Sequence, residues 1–319
     1  MKKRKLGKTG FEVSEVGHGL WGMGSWSDAD DDVSRSALRM SIDEGCTFFD
    51  SAFVYGNGRS DRLIGEVARD YPQSPLVLAS KIPPADGKWP SSPKNPLSSV
   101  FPRAHVMKYA ETIRRAFGRP IDLLQFHVWE DAWSKEAEWQ DTVAELREGG
   151  VIKAFGLSLN RWQPENGIAA IETGLIGSVQ VIYNIFDQAP EDQLFPICRR
   201  HNIGVIARVP LDEGSLGGKM TLDTRFPEGD WRARYFNSKN LAETMTRVEA
   251  LKKVLPDGMS LPEMALRFIL SESIVSTLIA GMRLSEHVRA NLAVSDKGPL
   301  SRDLLAELRA HRWDRQSFS

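Results

Sequence analysis

Short apolar segments rich in β-branched residues recur along the chain, and they alternate with stretches whose apolar residues follow the period of a helix. The predicted strands are residues 16–20, 47–50, 76–80, 123–126, 154–158, 178–183, 204–209 and 275–280. Regular alternation of strand and helix predicts a parallel sheet, and eight such units in 319 residues fit an α/β fold, the (β/α)₈ TIM barrel. We expect residues 1–319 to form a single domain, with a hairpin around residues 7–10 closing the barrel bottom.

The helical segments carry recognisable start and stop signals. Asp28 or Asp30 can cap the first helix, and Gly45 ends it. Its apolar face comprises Val33, Ala37, Leu38 and Ile42. Later helices are predicted from the spacing of Leu63, Ile64 and Val67, of Val106, Ala110, Ile113 and Phe117, and of Trp139, Val143 and Leu146.

Two segments are longer than a minimal connection requires. Residues 83–103 follow the third predicted strand, and residues 211–238 follow the seventh. Both start at strand C-termini, where long loops are usually functional. Their aromatic residues are Trp89, Phe101, Trp231, Tyr235 and Phe236. This composition predicts an aromatic-walled pocket suited to sugar rings or planar molecules, rather than a disordered linker.

Composition excludes several classes of function. The formal net charge of −1 gives no sign of a nucleic-acid or membrane surface. The basic start, residues 2–5, is not followed by the apolar stretch of a signal peptide, so we expect a cytoplasmic protein. Cys46 and Cys198 lie far apart and are expected to be reduced, and the six histidines form no metal-binding pattern.

Three successive predicted strands end in ionisable residues: Asp50, Lys81 and His127, with Tyr55 five residues after the first. Singly, these have ordinary interpretations as a helix cap, a solvated charge and a core histidine. Together on one barrel face they predict a division of labour. Lys81, held by Asp50, stabilises the tyrosinate form of Tyr55, which exchanges a proton with a carbonyl oxygen that His127 orients. Because no nucleophile is paired with a base, hydride transfer is favoured over covalent catalysis.

The motif Phe49-Asp50-Ser51-Ala52, followed by Tyr55-Gly56, Ser60-Asp61 and Leu63-Ile64-Gly65 and joined by Lys81 and His127, resembles the aldo-keto reductase superfamily. The resemblance covers almost the whole chain and implies a (β/α)₈ barrel that uses NAD(P)H without a Rossmann domain. It also implies that Asp50, Tyr55, Lys81 and His127 form the catalytic tetrad. The expected reaction is reversible reduction of an aldehyde or ketone, with Tyr55 as general acid.

The resemblance further implies a set of cofactor-binding positions. These are Gly19, Leu20, Trp21, Asp50, Ser158, Asn160, Gln180, Arg208, Pro210, Leu211, Glu213, Gly214, Ser215, Leu216, Gly281, Met282, Arg283, His287 and Asn291. Two of them depart from the family pattern. Leu159 separates Ser158 from Asn160, and Arg208 replaces the ring that stacks on the nicotinamide. A planar guanidinium can also stack, and the alternative is an ion pair of Arg208 with Glu213 or Asp212.

The segment after the eighth strand resembles the binding site for the adenosine 2′-phosphate. Arg283 suits a phosphate or an adenine ring, whereas His287 stands where a lysine or arginine is frequent, and Ala290 replaces a frequent acid. NADPH is therefore the expected cofactor, with NADH as an open alternative. A small carbonyl or alcohol is the expected substrate, and the oligomeric state is left open.

Three alternative interpretations remain. Residues 17–22 satisfy G-x-G-x-x-G, and Asp50 would then be a ribose ligand of a Rossmann fold, but residues 23–27 leave no room for the helix to begin within the glycines. The second alternative is a regulatory barrel subunit that binds cofactor without turnover. A non-redox barrel enzyme, an isomerase or aldolase, is compatible with the fold alone.

Overall fold

The computed structural model describes residues 1–24 and 29–315. Its strands are β1 (Lys3–Lys5), β2 (Glu12–Ser14), β3 (Val16–Gly19), β4 (Phe48–Asp50), β5 (Val77–Ile82), β6 (Ile121–Phe126), β7 (Ile152–Ser158), β8 (Ser178–Ile182), β9 (Gly204–Arg208) and β10 (Val275–Gly281). Strands β3 to β10 form a closed parallel barrel in chain order, with β10 pairing to β3. The predicted (β/α)₈ barrel is therefore confirmed, and the doubly wound Rossmann alternative is wrong.

Each predicted barrel strand has its counterpart, with ends that differ by a few residues. The most important of these differences concerns Lys81. It lies inside β5 and pairs in register with Gln125, whereas the sequence predicted that it follows the strand. The strands are apolar on both faces because one face lines the barrel interior and the other packs against helices. Phe48, Val77 and Ile206, for example, belong to the interior cluster.

Helices connect the strands on the outside of the barrel. They are α1 (Trp21–Gly24), α2 (Asp31–Asp43), α3 (Arg59–Ala68), α4 (Leu97–Val100), α5 (Arg103–Phe117), α6 (Ala137–Glu148), α7 (Ile168–Glu172), α8 (Leu194–His201), α9 (Trp231–Tyr235), α10 (Ser238–Lys253), α11 (Leu261–Leu270), α12 (Ser285–Leu292), α13 (Val294–Lys297) and α14 (Arg302–Arg309). Short 3₁₀ segments occur at Gly7–Thr9, Asp131–Trp133, Ala189–Glu191 and Asp212–Gly217.

Two details concern helix starts. Asp30 caps α2, since its Oδ1 accepts hydrogen bonds of 2.8 Å from the backbone N–H groups of Asp32 and Val33. The other predicted cap, Asp28, lies outside the described residues. Contrary to expectation, the short helix α1 does begin at Trp21, inside the glycine motif.

The N-terminal hairpin covers the bottom of the barrel. Strands β1 and β2 pair antiparallel, and Leu6 and Val13 pack with the side chains that fill the barrel interior. Arg4 fixes the hairpin by donating a 2.8 Å hydrogen bond to the carbonyl of Val275, at the start of β10, and by pairing with Glu15. The opposite end of the barrel, where the parallel strands terminate, is left for the candidate site. None of the helices in the described ranges combines the length and the apolar character needed to cross a membrane.

Candidate active site

A buried ion pair lies at the C-terminal ends of β4 and β5. The Nζ atom of Lys81 donates hydrogen bonds of 2.6 Å to Oδ2 of Asp50 and 2.7 Å to the carbonyl of Ser51. The side chains of Lys81 and Asp50 are 0% and 2% exposed. The second carboxylate oxygen of Asp50 accepts a 2.8 Å hydrogen bond from Nε2 of Gln180 on β8. Gln180, assigned from sequence to the cofactor, thus also anchors the carboxylate.

Burial sets the electrostatics of this pair. It lowers the pKa of the Lys81 ammonium, and the charge of Asp50 opposes that effect. A further carboxylate, Asp61 on α3, is buried nearby and accepts a 2.8 Å hydrogen bond from Oγ of Ser80. Burial raises the pKa of Asp61 to about 6. Sequence reasoning did not assign Asp61 to the site, although the Ser60-Asp61 pair of the motif was a signal for it.

Tyr55 is positioned by a close backbone approach. A Cβ atom on Gly24 would lie 2.2 Å from the carbonyl carbon of Tyr55, and one on Gly56 would lie 2.2 Å from the carbonyl oxygen of Gly24. Only glycine fits there, which explains the Tyr-Gly sequence. The Nζ of Lys81 is 5.4 Å from the centroid of the Tyr55 ring.

The pKa of Tyr55 differs from the sequence-based expectation. Burial raises it first, and the charge of Asp50 raises it further, whereas Arg208 acts in the opposite direction. Burial and the charge of Asp50 therefore outweigh the lowering that the sequence predicted from Lys81. Tyr55 is held in its protonated form, which is the form that donates a proton.

His127 directly follows β6, as predicted, and its ring lies between two aromatic side chains. The centroid of its imidazole is 6.0 Å from that of Tyr55 and 4.5 Å from that of Trp89, both in edge-on geometry. Burial, followed by the charges of Lys81 and Arg208, holds the pKa of His127 well below its ordinary value. The imidazole is therefore neutral at pH 7. Trp89, in the long segment after β5, is 48% exposed and forms a wall beside this ring.

Arg208 ends β9, and its side chain forms no ion pair with any residue that the structure describes. Its Nη2 donates a 3.0 Å hydrogen bond to the carbonyl of Leu159, and its buried Nε has no partner among the described residues. Glu213 pairs with Arg161, and Asp212 lies 2.7 Å from Arg315. The alternative ion pair of Arg208 with Glu213 or Asp212 is therefore wrong. Burial lowers the pKa of Arg208 to about 10, so the guanidinium remains charged at pH 7.

The two polar residues after β7 occupy different environments. Ser158 is buried at the strand end. The amide nitrogen of Asn160 donates hydrogen bonds of 2.9 Å to Oε1 of Glu130 and to the carbonyl of Trp129, and 3.0 Å to Oγ of Ser91. Asn160 thus fastens the segment after β5 to the segment after β6. Leu159 separates Ser158 from Asn160, and the amide nitrogen of Asn160 is bonded to protein groups.

The segment after β9 is held by a buried cluster around Arg315. This guanidinium bonds to Asp187, lies 2.7 Å from Oδ1 of Asp212 and donates a 2.6 Å hydrogen bond to the Tyr235 hydroxyl. Asp212 in turn accepts a 2.6 Å hydrogen bond from Oγ of Ser215. The cluster positions Pro210, Leu211, Glu213, Gly214, Ser215 and Leu216, all assigned from sequence to the cofactor, and the side chain of Leu216 is buried. Sequence reasoning missed Arg315, which lies far from this segment along the chain.

Replacing Arg315 with methionine is expected to lower the free energy of unfolding by about 3–5 kcal/mol, because two buried carboxylates lose their cation. Urea unfolding followed by circular dichroism measures this change. As a matched control, Arg309→Met removes an exposed arginine 3.7 Å from Glu191 and should cost less than about 1 kcal/mol. Equal losses in the two variants would show that the Arg315 cluster does not hold the fold.

The remaining candidates lie on or near β3 and β10. Gly281 pairs in register with Gly19, and a Cβ on Gly281 would meet no atom within 4 Å. Leu20 and Met282, by contrast, have side chains buried in the core, so only their backbones are available to a ligand. Trp21 lies with its ring centroid 6.5 Å from that of Trp231, which brings the segment after β9 to the start of α1.

The residues that the sequence resemblance assigns to the adenosine end lie on and just before α12. His287 is exposed and 3.5 Å from Glu286, whereas Asn291 is buried and Arg283 is half-buried. The structure therefore brings Asp50, Tyr55, Lys81, His127, Gln180 and Arg208 together at the barrel mouth. It places Arg283, His287 and Asn291 after β10.

The chain is similar to known proteins in both sequence and fold. The model of the Aldo/keto reductase family matches residues 15–312. The aldo-keto reductase YhdN of Bacillus subtilis (strain 168) is 27% identical over 293 residues, which cover 89% of this chain and 85% of that protein. The holo form of aldo-keto reductase AKR11C1 from Bacillus halodurans superposes with a TM-score of 0.77 at 26% identity, covering 98% of this chain and 96% of that one. For the glycerol dehydrogenase AKR11B4 from Gluconobacter oxydans the TM-score is 0.79 at 26% identity, covering 97% and 94%. Since the family model spans nearly the whole chain and the barrel agrees with it, the protein belongs to the aldo/keto reductase family.

Proposed function

We propose that this protein catalyses the reversible, NADPH-preferring reduction of an aldehyde or ketone to an alcohol. The observation that carries the proposal is the fully buried Lys81–Asp50 pair, with the rings of Tyr55 and His127 gathered at the same barrel mouth. Burying a lysine is costly unless it is paired, so an ion pair at this position argues for chemistry rather than stability. We assign residues 1–319 to one domain that carries the whole site.

The residues present fit a nicotinamide cofactor. Arg208 has a buried N–H without a partner among the described residues at the end of β9, and Gly281, at the end of the adjacent strand β10, leaves open space beside its backbone. Ser158 and the carbonyl oxygen of Gln180 would hold the carboxamide, since Asn160 is engaged with Glu130. When bound, the reduced nicotinamide supplies hydride to the carbonyl carbon of the substrate.

Side chains of the protein supply the proton that the substrate oxygen takes up. Tyr55, protonated in its buried position, donates its phenolic proton to the substrate oxygen. The neutral His127 donates a hydrogen bond to the same oxygen and fixes its orientation. Lys81 stabilises the resulting tyrosinate, and Asp50, held by Gln180, keeps the ammonium in place. In the oxidative direction the tyrosinate takes the proton from the alcohol.

The remaining segments define substrate and cofactor preference. Trp21, Trp89 and Trp231 surround the mouth with aromatic surface, which suits a planar or sugar-like carbonyl compound. Arg283, beside the start of α12, is assigned to the 2′-phosphate of NADPH. The exposed His287 on α12 stands where a lysine or arginine is frequent in the family. NADH therefore remains a usable cofactor, with lower affinity than NADPH. Both cysteines are free and buried, in keeping with the reducing conditions of a cytoplasm.

Rapid mixing tests the proposal. Protein loaded with NADPH is expected to lose the absorbance of the reduced nicotinamide when mixed with 4-nitrobenzaldehyde. A protein that binds NADPH by fluorescence quenching but never consumes it would be the regulatory subunit, an outcome that the complete set of four residues does not favour. A protein that binds no NADPH would be a non-redox barrel enzyme.

A further inference from the structure

Arg208 is a buried guanidinium for which the described residues provide no directly paired carboxylate, although the charges of Glu213 and Asp50 act on it. Within the described residues, its side chain makes a single 3.0 Å hydrogen bond to a backbone carbonyl, and its buried Nε has no hydrogen-bond partner. Other cations at the strand ends are neutralised within the described residues: Lys81 by Asp50, Arg161 by Glu213, and Arg315 by two aspartates. A buried guanidinium in this state carries a desolvation cost, and such a cost is retained where a ligand compensates it or exploits it.

Hydride transfer requires a bound nicotinamide ring to lie near Arg208. A carbonyl oxygen held by Tyr55 and His127 places its carbon at the barrel mouth, and a hydride donor must then approach to about 3–3.5 Å. The other five barrel strands carry Gly19 at the end of β3, Ser158 at the end of β7, Gln180 within β8, Arg208 at the end of β9 and Gly281 at the end of β10. Among these only Arg208 carries a charge, and its field reaches Tyr55. A donor ring bound at these strands would therefore lie beside this guanidinium.

The two redox forms of a nicotinamide differ in charge at that ring. The dihydropyridine of NADPH is neutral, whereas the pyridinium of NADP⁺ carries a positive charge. A planar guanidinium packs against either ring with similar dispersion energy, so the flat contact does not distinguish them. Charge distinguishes the two rings, since two cations at contact distance repel strongly in a poorly hydrated site. Glu213 and Asp50 also act on Arg208, but each is directly paired with another cation, Arg161 and Lys81, and so offsets this repulsion only in part.

We propose that Arg208 makes the protein discriminate between the redox forms of its cofactor, holding NADPH tightly and expelling NADP⁺ after hydride has been transferred. This inference rests on the proposed function and adds to it a residue that sets the direction of cofactor exchange. An aromatic ring at position 208 would bind both forms without that bias.

Binding measurements on the intact protein test the inference without turnover. Dissociation constants for NADPH and NADP⁺ are measured separately by quenching of tryptophan fluorescence and by calorimetry. We expect the wild-type protein to bind NADPH at least about tenfold more tightly than NADP⁺, a modest part of what two contacting charges produce at an effective dielectric of about 20. In Arg208→Met the ratio should fall towards one, mainly because NADP⁺ binds more tightly.

Two matched variants separate charge from shape. Arg208→Lys keeps the charge and should keep the preference for NADPH, whereas Arg208→Tyr keeps a flat surface without charge and should lose it. Arg208→Gln, which can still bond to the Leu159 carbonyl, replaces the methionine variant if that protein unfolds. A wild-type ratio near one, or the same ratio in the lysine and methionine variants, overturns the inference. Failure of the proposed function has a different signature, since NADPH would then not bind or not be consumed by 4-nitrobenzaldehyde.

Discussion

Tyr55→Phe is expected to lower kcat for carbonyl reduction by roughly 10²- to 10⁴-fold while leaving NADPH affinity nearly unchanged, because the variant lacks the proton donor but keeps the ring. The variant keeps the ring, whose centroid lies 6.0 Å from that of His127 and 5.4 Å from Nζ of Lys81. Steady-state rates with 4-nitrobenzaldehyde and NADPH binding by fluorescence measure the two effects.

A control isolates the role of the hydroxyl group. Tyr71→Phe removes a surface hydroxyl that donates a 3.0 Å hydrogen bond to Asp43, and its rate should remain within about twofold of the wild type. If Tyr55→Phe also kept most of its turnover, water or another side chain would be the acid, and the assignment of Tyr55 would be refuted.

Lys81→Met is expected to raise the apparent pKa of Tyr55 in the holoenzyme by at least about one unit and to slow alcohol oxidation at pH 7 tenfold or more. An opposite charge within a few ångströms stabilises the charged form of an acid, and each unit of pKa is a factor of ten in the population of that form. Oxidation requires tyrosinate, so its rise with pH should move to higher pH. Reduction requires the protonated phenol, so its decline should also move to higher pH.

The matched control for this variant is Lys153→Met. Lys153 also pairs with a carboxylate, 2.7 Å from Asp122, but its side chain is 49% exposed and lies away from the barrel mouth. Because Lys81→Met leaves Asp50 buried without a cation, Asp50→Asn in the same background removes the stranded charge if the single variant unfolds. An unchanged pH profile in the folded Lys81 variant would contradict the tyrosinate–ammonium interaction.

The sequence predicted the barrel because the information is local. Each strand is a contiguous apolar run and each helix a contiguous periodic stretch, so alternation and chain order together define a closed parallel sheet. The same logic placed Asp50, Lys81 and His127 on one face, since parallel strands end on the same side. Small differences, such as Lys81 within β5 or the early start of α1, lie at element boundaries, where tertiary contacts decide the last hydrogen bonds.

Partners that are distant in the chain were not predictable. Gln180 donates to Asp50 across 130 positions, and Arg315 reaches Asp187 across 128. A residue type shows that a group can donate, but only packing decides which acceptor it meets. Asn160 illustrates this, since its amide nitrogen donates to Glu130, which lies 30 positions earlier in the chain.

The sequence alone therefore determined the fold class, the polar residues at the strand ends and the family they resemble, because these depend on spacing and strand direction. The tertiary structure decided how the charges are distributed among them. In the folded protein Glu213 pairs with Arg161 and Asp212 pairs with Arg315, and neither pairs with Arg208. Tyr55 is buried beside Lys81, whose charge is neutralised by Asp50. Charge pairing depends on distances between elements far apart in the chain, and those distances exist only once the barrel has closed.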